Sequence, residues 1–133
     1  MKPTHYFVVR SPFAQAIICG QKAFEFRSQP KMFENKTLAL AVARNTATEE
    51  EIDFEIAGWK MDEKQKNEYK NLISDKSMAG MIVGQVEFGE SENFSDEKDN
   101  PDFGIFIESF ILWPRSEWII SPGGLGIRKI PQV

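Results

Sequence analysis

Arg10-Ser11-Pro12-Phe13-Ala14-Gln15-Ala16-Ile17-Ile18-Cys19-Gly20-Gln21-Lys22-Ala23-Phe24-Glu25-Phe26-Arg27 changes its hydrophobic period midway, and that change decides the fold. Ser11 is a residue type whose hydroxyl caps helix N-termini, and Pro12 suits a first helical position, where a missing N–H costs nothing. Phe13, Ala14, Ile17 and Ile18 recur at helical spacing, and Gly20 can take the left-handed conformation that ends a helix. A short helix stopping at about Cys19 is predicted. From Ala23 the period becomes two, with Phe24 and Phe26 on one face and Glu25 and Arg27 on the other, the pattern of a half-buried strand. Glu25 and Arg27 then project to the same side roughly 7 Å apart, close enough to pair or to share a polar ligand. Lys22 joins them only if it sits in the turn, or beside a bulge, after Gly20.

Outward from this stretch the chain reads as alternating strands and turns. His5–Val9 is a first strand that delivers Arg10, and Thr37–Ala43 is another, with Leu38, Leu40 and Val42 toward the core. Arg44 and Asn45 place a donor-rich pair at that strand's exit. Capping boxes at Thr48/Glu51 and Asp62/Gln65 predict two helices in an insertion of about residues 48–75, expected to pack across one open end of the sheet. Ile52, Ile56 and Trp59 form the stripe of the first, and Tyr69, Leu72 and Ile73 that of the second. Met81–Phe88 is a strand bent at Gly84, and Phe103–Leu112 another, with Glu108 pointing outward. An acidic loop of about residues 89–102 separates them. Trp113, Arg115 and Trp118 fit either a base-stacking platform or a core plug. Ser121–Gly126 lacks the terminal Lys-Ser/Thr of a phosphate loop and reads as a close-approach turn into a last strand, Ile127–Ile130.

Composition narrows the classes. The 133 residues, 41% of them hydrophobic and eleven of them Phe, suit a single domain around one core. No apolar run reaches membrane-span length and no signal-peptide core is evident, so a soluble, cytoplasmic protein is expected, without membrane association. One cysteine and one histidine give neither a disulfide framework nor a metal-ligand cluster, so no metal and no cofactor are predicted. Cys19 reads as a buried inert thiol and His5 as a polar residue opening an edge. The net charge of −4 hides a division: outside Glu90–Asp102 and Glu49–Glu55 the chain holds 15 basic and 9 acidic residues, a balance that permits a local field for phosphate.

Gly20-x-Lys22-x-x-Glu25-x-Arg27, behind a helix opening with Pro12-Phe13, resembles the signature of the ASCH domain. The resemblance continues through Leu38–Ala43, Gly80–Val86 and Phe103–Glu108 to the glycine-rich end. It implies an α+β chain: a small PUA-like mixed or antiparallel β-barrel with a short N-terminal helix and the helical insertion. It also implies binding of RNA, single-stranded if RNA, or of a nucleotide-like ligand, in a cleft between the first helix and the motif strand. Lys22 and Arg27 would contact phosphate or a base edge, Glu25 would orient them or accept from an exocyclic amine, and Arg10, Ser11, Arg44 and Asn45 would complete the site.

Two other classes stay open. Some ASCH-like proteins are amidohydrolases on a modified nucleoside, or ribonucleases; in the amidohydrolase branch a lysine acts with a threonine two residues before the motif arginine and with a downstream glutamate. Lys22 matches that lysine, but Glu25 stands at the threonine position, and a carboxylate is not the same nucleophile as a hydroxyl. An enzyme built here would use Lys22 and Glu25, the carboxylate as a general base. The third class is a protein-interaction module using the acidic loop or the insertion. An ion pair between Glu25 and Arg27 with a purely structural role is the plain alternative for those two residues.

Overall fold

The computed structural model describes residues 2–45, 47–58 and 61–131. Seven strands are described: β1 (His5–Val9), β2 (Phe24–Phe26), β3 (Thr37–Val42), β4 (Met81–Asn93), β5 (Phe103–Leu112), β6 (Ile119–Ile120) and β7 (Arg128–Lys129). Three helices accompany them: α1 (Phe13–Ile18), α2 (Glu49–Ala57) and α3 (Glu63–Ser74). The strands run β2-β5-β4-β3-β1-β7 in one mixed, curled half-barrel sheet, with β6 added beside β4. β1 and β3 are parallel and the other pairings antiparallel. Among the described residues no helix is long and apolar enough to cross a membrane.

The sheet is buried on both faces where β1, β3 and β4 meet, which is why β3 reads as a nearly continuous apolar run. Phe7, Val9, Leu38, Leu40, Val42, Val83, Val86 and Phe88 line the concave side with α1. Tyr6, Ala39, Ala41 and Ile82 lie on the convex side beneath Trp113 and Trp118. Those two indoles therefore cover the sheet instead of offering a stacking platform. Trp113 Nε1 donates to Gln85 Oε1 and Trp118 Nε1 to the Trp113 carbonyl. Both capping boxes form as expected. The insertion packs on α1 through Ala16, Ile56, Tyr69 and Ile73, and the Tyr69 hydroxyl donates to the Pro12 carbonyl. Trp59, expected on the α2 stripe, lies outside the described residues.

Two local readings need correction. Ser11 does not cap α1: its Oγ donates to Gln15 Oε1 at 2.9 Å, and the helix begins at Phe13. β4 does not stop at Phe88 but runs to Asn93, because Ser91, Glu92 and Asn93 keep pairing with β5 beyond two register shifts. The loop that remains spans only residues 94–102. In β2 the expected alternation is present, and the charged face is the buried one. Glu25 is 5% exposed and Phe26 47% exposed, because the charged side chains find partners under the sheet while the phenylalanines cluster outside it. His5 is exposed at the start of β1 and Glu108 is exposed on β5, as expected.

The bend in β4 has a steric cause. Register shifts at Leu40/Ala41 opposite Gly84, and a Cβ on Gly84 would lie 2.3 Å from the Ile111 carbonyl and 2.7 Å from the Phe110 ring. Backbone on that side cannot yield cheaply. Gly84→Ala is predicted to cost roughly 2 kcal/mol, measured by thermal or denaturant unfolding; a variant as stable as the parent would contradict this packing.

Candidate functional site

The curled sheet is not closed. β2 ends one side of it, and β7, which ends the other, pairs only with His5 and Tyr6 of β1. Beyond Tyr6 the outward carbonyl of Val8 therefore lacks a strand partner, and Arg27 Nη2 donates to it at 3.1 Å across the gap. A cleft of about 450 Å³ opens at this seam. β1 supplies Val8 and Val9, β2 supplies Glu25 and Phe26, and the Gly124–Gly126 turn forms the facing wall, with Arg10, Phe13, Lys22 and Arg27 completing it.

Local structure explains each position. α1 ends at Ile18 with Cys19 as its C-cap and Gly20 at φ 77°, and the backbone amides of Gln21 and Lys22 both donate to the Ala16 carbonyl. That turn holds Lys22 just ahead of β2, so its ammonium reaches back over Phe13, 5.3 Å from the ring centroid, to Glu25 Oε1 at 3.2 Å. The turn alternative for Lys22 is the one realised. Arg27 lies 5.2 Å from the Phe33 ring and 5.6 Å from the Phe7 ring, a cation–π cradle continuous with the core. Glu25 hangs between the two cations. Its Oε2 is buried and makes no hydrogen bond; Arg27 Nη2 is 3.8 Å away.

A buried carboxylate oxygen in this state retains acceptor capacity that its surroundings leave unused. The cleft sets three cationic groups, Arg10, Lys22 and Arg27, against the one carboxylate of Glu25. Arg10 stands on the exposed rim, and its 4.0 Å approach to Glu51 contributes little.

Of the remaining expected residues, Arg44 and Asn45 line a second hollow of about 250 Å³ with Gly80, Ser121 and Gly123. The two spaces are neighbours, with Val8 and Gly124 lining both. Arg44 Nη2 donates to the Ser121 carbonyl. Ser11 is buried against Gln15 and does not line the cleft. Sequence reasoning missed Val8, Phe13 and the Gly124–Gly126 turn as walls. Gly124 has φ 103°, and a Cβ there would lie 2.2 Å from Arg128 Nε, so this turn does bring the backbone close, as its glycines implied.

Cys19 is exposed as a residue, contrary to expectation, yet burial around its sulfur and then the Glu68 carboxylate push its thiol upward, away from a reactive thiolate. Among the described residues no three His, Cys, Asp or Glu side chains gather as metal ligands. Compared with known proteins, no family model matches this chain and no curated protein matches it.

The two cations of the seam are predicted to behave differently. Arg27→Ala removes the bridge to β1 and the cation over Phe7 and Phe33, costing roughly 2 kcal/mol. Lys22→Ala leaves Arg27 to neutralise Glu25 and costs less. Thermal unfolding of both variants checks this, and equal melting temperatures would contradict the bridging role.

Proposed function

We propose that this chain binds RNA, or a nucleotide-like ligand, in the seam cleft of a PUA-like, ASCH-type fold. Glu25 carries this reading: a buried carboxylate with one unbonded oxygen, held between Lys22 and Arg27, is suited to accept from a base amine while the cations take phosphate or carbonyl oxygens. The resemblance of Gly20-x-Lys22-x-x-Glu25-x-Arg27 to the ASCH signature supports the same site. The neighbouring hollow at Arg44 and Asn45 offers donors for an adjacent phosphate or ribose. Single strands suit a cleft of this size better than a duplex, because an unpaired base can be splayed into it.

Binding is favoured over amidohydrolase chemistry by the character of the walls. The described lining of the cleft carries no hydroxyl or thiol side chain, and Glu25 stands where that branch uses threonine. Lys22 and Glu25 remain the pair that would act if the ligand were also cleaved, as base and electrostatic stabiliser.

Binding of short single-stranded RNA, single-stranded DNA and duplex RNA, titrated against salt for the parent and Lys22→Ala, tests the proposal. Single-stranded RNA is expected to bind with an affinity that falls steeply with salt, and Lys22→Ala to weaken it by about tenfold. The same samples are checked for cleavage products. Absence of binding to all three at low salt would overturn the polymer-binding form and leave free nucleosides as ligands to test.

A further inference from the structure

Lys22 lines a second space besides the seam cleft. About 340 Å³ in volume, it is bounded by Phe13 of α1, by Glu55 of α2 and by Ala23, Phe24 and Phe26 at β2. Phe13, Lys22 and Phe26 line the seam cleft as well, so the two spaces are neighbours. Each falls within the roughly 300–1,000 Å³ of small-ligand sites.

The free edge of β2 borders both spaces. In the β2–β5 ladder the Ile107 amide donates to the Ala23 carbonyl and the Arg27 amide to the Phe103 carbonyl, so Ala23, Glu25 and Arg27 turn their backbone groups toward β5. By the alternation of antiparallel pairing, the amides and carbonyls of Phe24 and Phe26 point along the edge that no described strand pairs. Backbone groups of this kind call for partners, and a splayed base carries donors and acceptors along its own edge. Phe26 is almost half exposed, and a phenyl ring is a face on which a base of any sequence can stack. The Lys22 ammonium is the charge common to the two spaces. It has three N–H donors, of which the bond to Glu25 Oε1 at 3.2 Å takes one.

We propose that the second space takes the next nucleotide of the strand whose first base occupies the seam cleft, an inference that rests on the nucleotide reading of that cleft. The second base stacks on Phe26, and its edge meets the backbone groups of Phe24 and Phe26. The phosphate joining the two nucleotides meets the remaining donors of Lys22. The unit recognised is thus a dinucleotide step of a single strand. A duplex cannot present it, because both bases must leave their stack.

The test compares the affinity of the full chain for the four nucleoside 5′-monophosphates, for nucleosides with a phosphate on both the 5′ and the 3′ oxygen, and for the sixteen diribonucleotides. The best diribonucleotide is expected to bind about tenfold more tightly than its first nucleotide alone, and the bisphosphate to fall short of it. Ala23 is exposed and lines the second space but not the cleft, so Ala23→Leu narrows that space without adding charge. It is expected to remove the gain and keep the mononucleotide affinity. Phe26→Leu keeps an apolar side chain beside Phe94 but loses the flat ring, and is expected to weaken the diribonucleotide by about tenfold. A diribonucleotide no tighter than its mononucleotide overturns the second subsite and leaves the reading of the seam standing. So does a gain that the bisphosphate reproduces, or one that survives either substitution. A dimer in sedimentation that Phe26→Leu dissolves would make a second copy the occupant of the edge and overturn the proposal too. Absence of binding by every ligand overturns both this subsite and the seam as a nucleotide site.

Discussion

Arg27 crosses a gap that backbone hydrogen bonds do not close. The curled sheet would need a ladder between β2 and the outer half of β1 to become a complete barrel, and β7 covers only the first two residues of β1. The guanidinium bonds the Val8 carbonyl in place of that ladder and rests on Phe7 and Phe33, so one side chain ties the edge strand to both the neighbouring backbone and the core. A planar fork with several donors can do this while still reaching a carboxylate, which a lysine at the same position cannot. The seam left beside it is the cleft. Burying Glu25 there is tolerable because two cations compensate the desolvation, and its second oxygen is left without a hydrogen bond from the protein.

Charge is sorted by the sheet. β2 turns Glu25 and Arg27 inward, together with Lys22, and turns Phe24 and Phe26 outward against Phe94. Much of the negative charge belongs to the outer hairpin and to α2, whose Glu51 approaches Arg10 at the rim of the seam. An acidic protein thus gathers three cations at the seam.

Much of this was legible in the sequence because the signals were local. The capping boxes of α2 and α3, the closure of α1 at Gly20 and the core positions of β3 follow from side-chain chemistry within a few residues, and a glycine inside an apolar strand marked the bend at Gly84. What escaped was decided at long range. Alternation in β2 identifies two faces but not which is buried; that depended on Phe94 and Phe106, some 70 to 80 positions away in the chain, supplying an outer aromatic partner. The end of β4 was hidden by residues that read as an acidic loop, yet pairing with β5 carried them into the sheet. Ser11 has the chemistry of a cap, but Gln15 took its hydroxyl. The cleft was legible in Lys22, Glu25 and Arg27, while its walls came from Val8 and the distant glycine turn.

The central claim is that Glu25 reads a ligand and does not merely neutralise two cations. Glu25→Gln, compared with the parent for single-stranded RNA affinity and for melting temperature in the same buffer, tests it most directly. The account predicts a nearly unchanged melting temperature, because the partly exposed Lys22 and Arg27 can turn to solvent, together with an affinity loss of about tenfold and a relaxed base preference. Affinity unchanged or increased, with a clearly lowered melting temperature, would contradict it and assign Glu25 to the architecture of the seam alone.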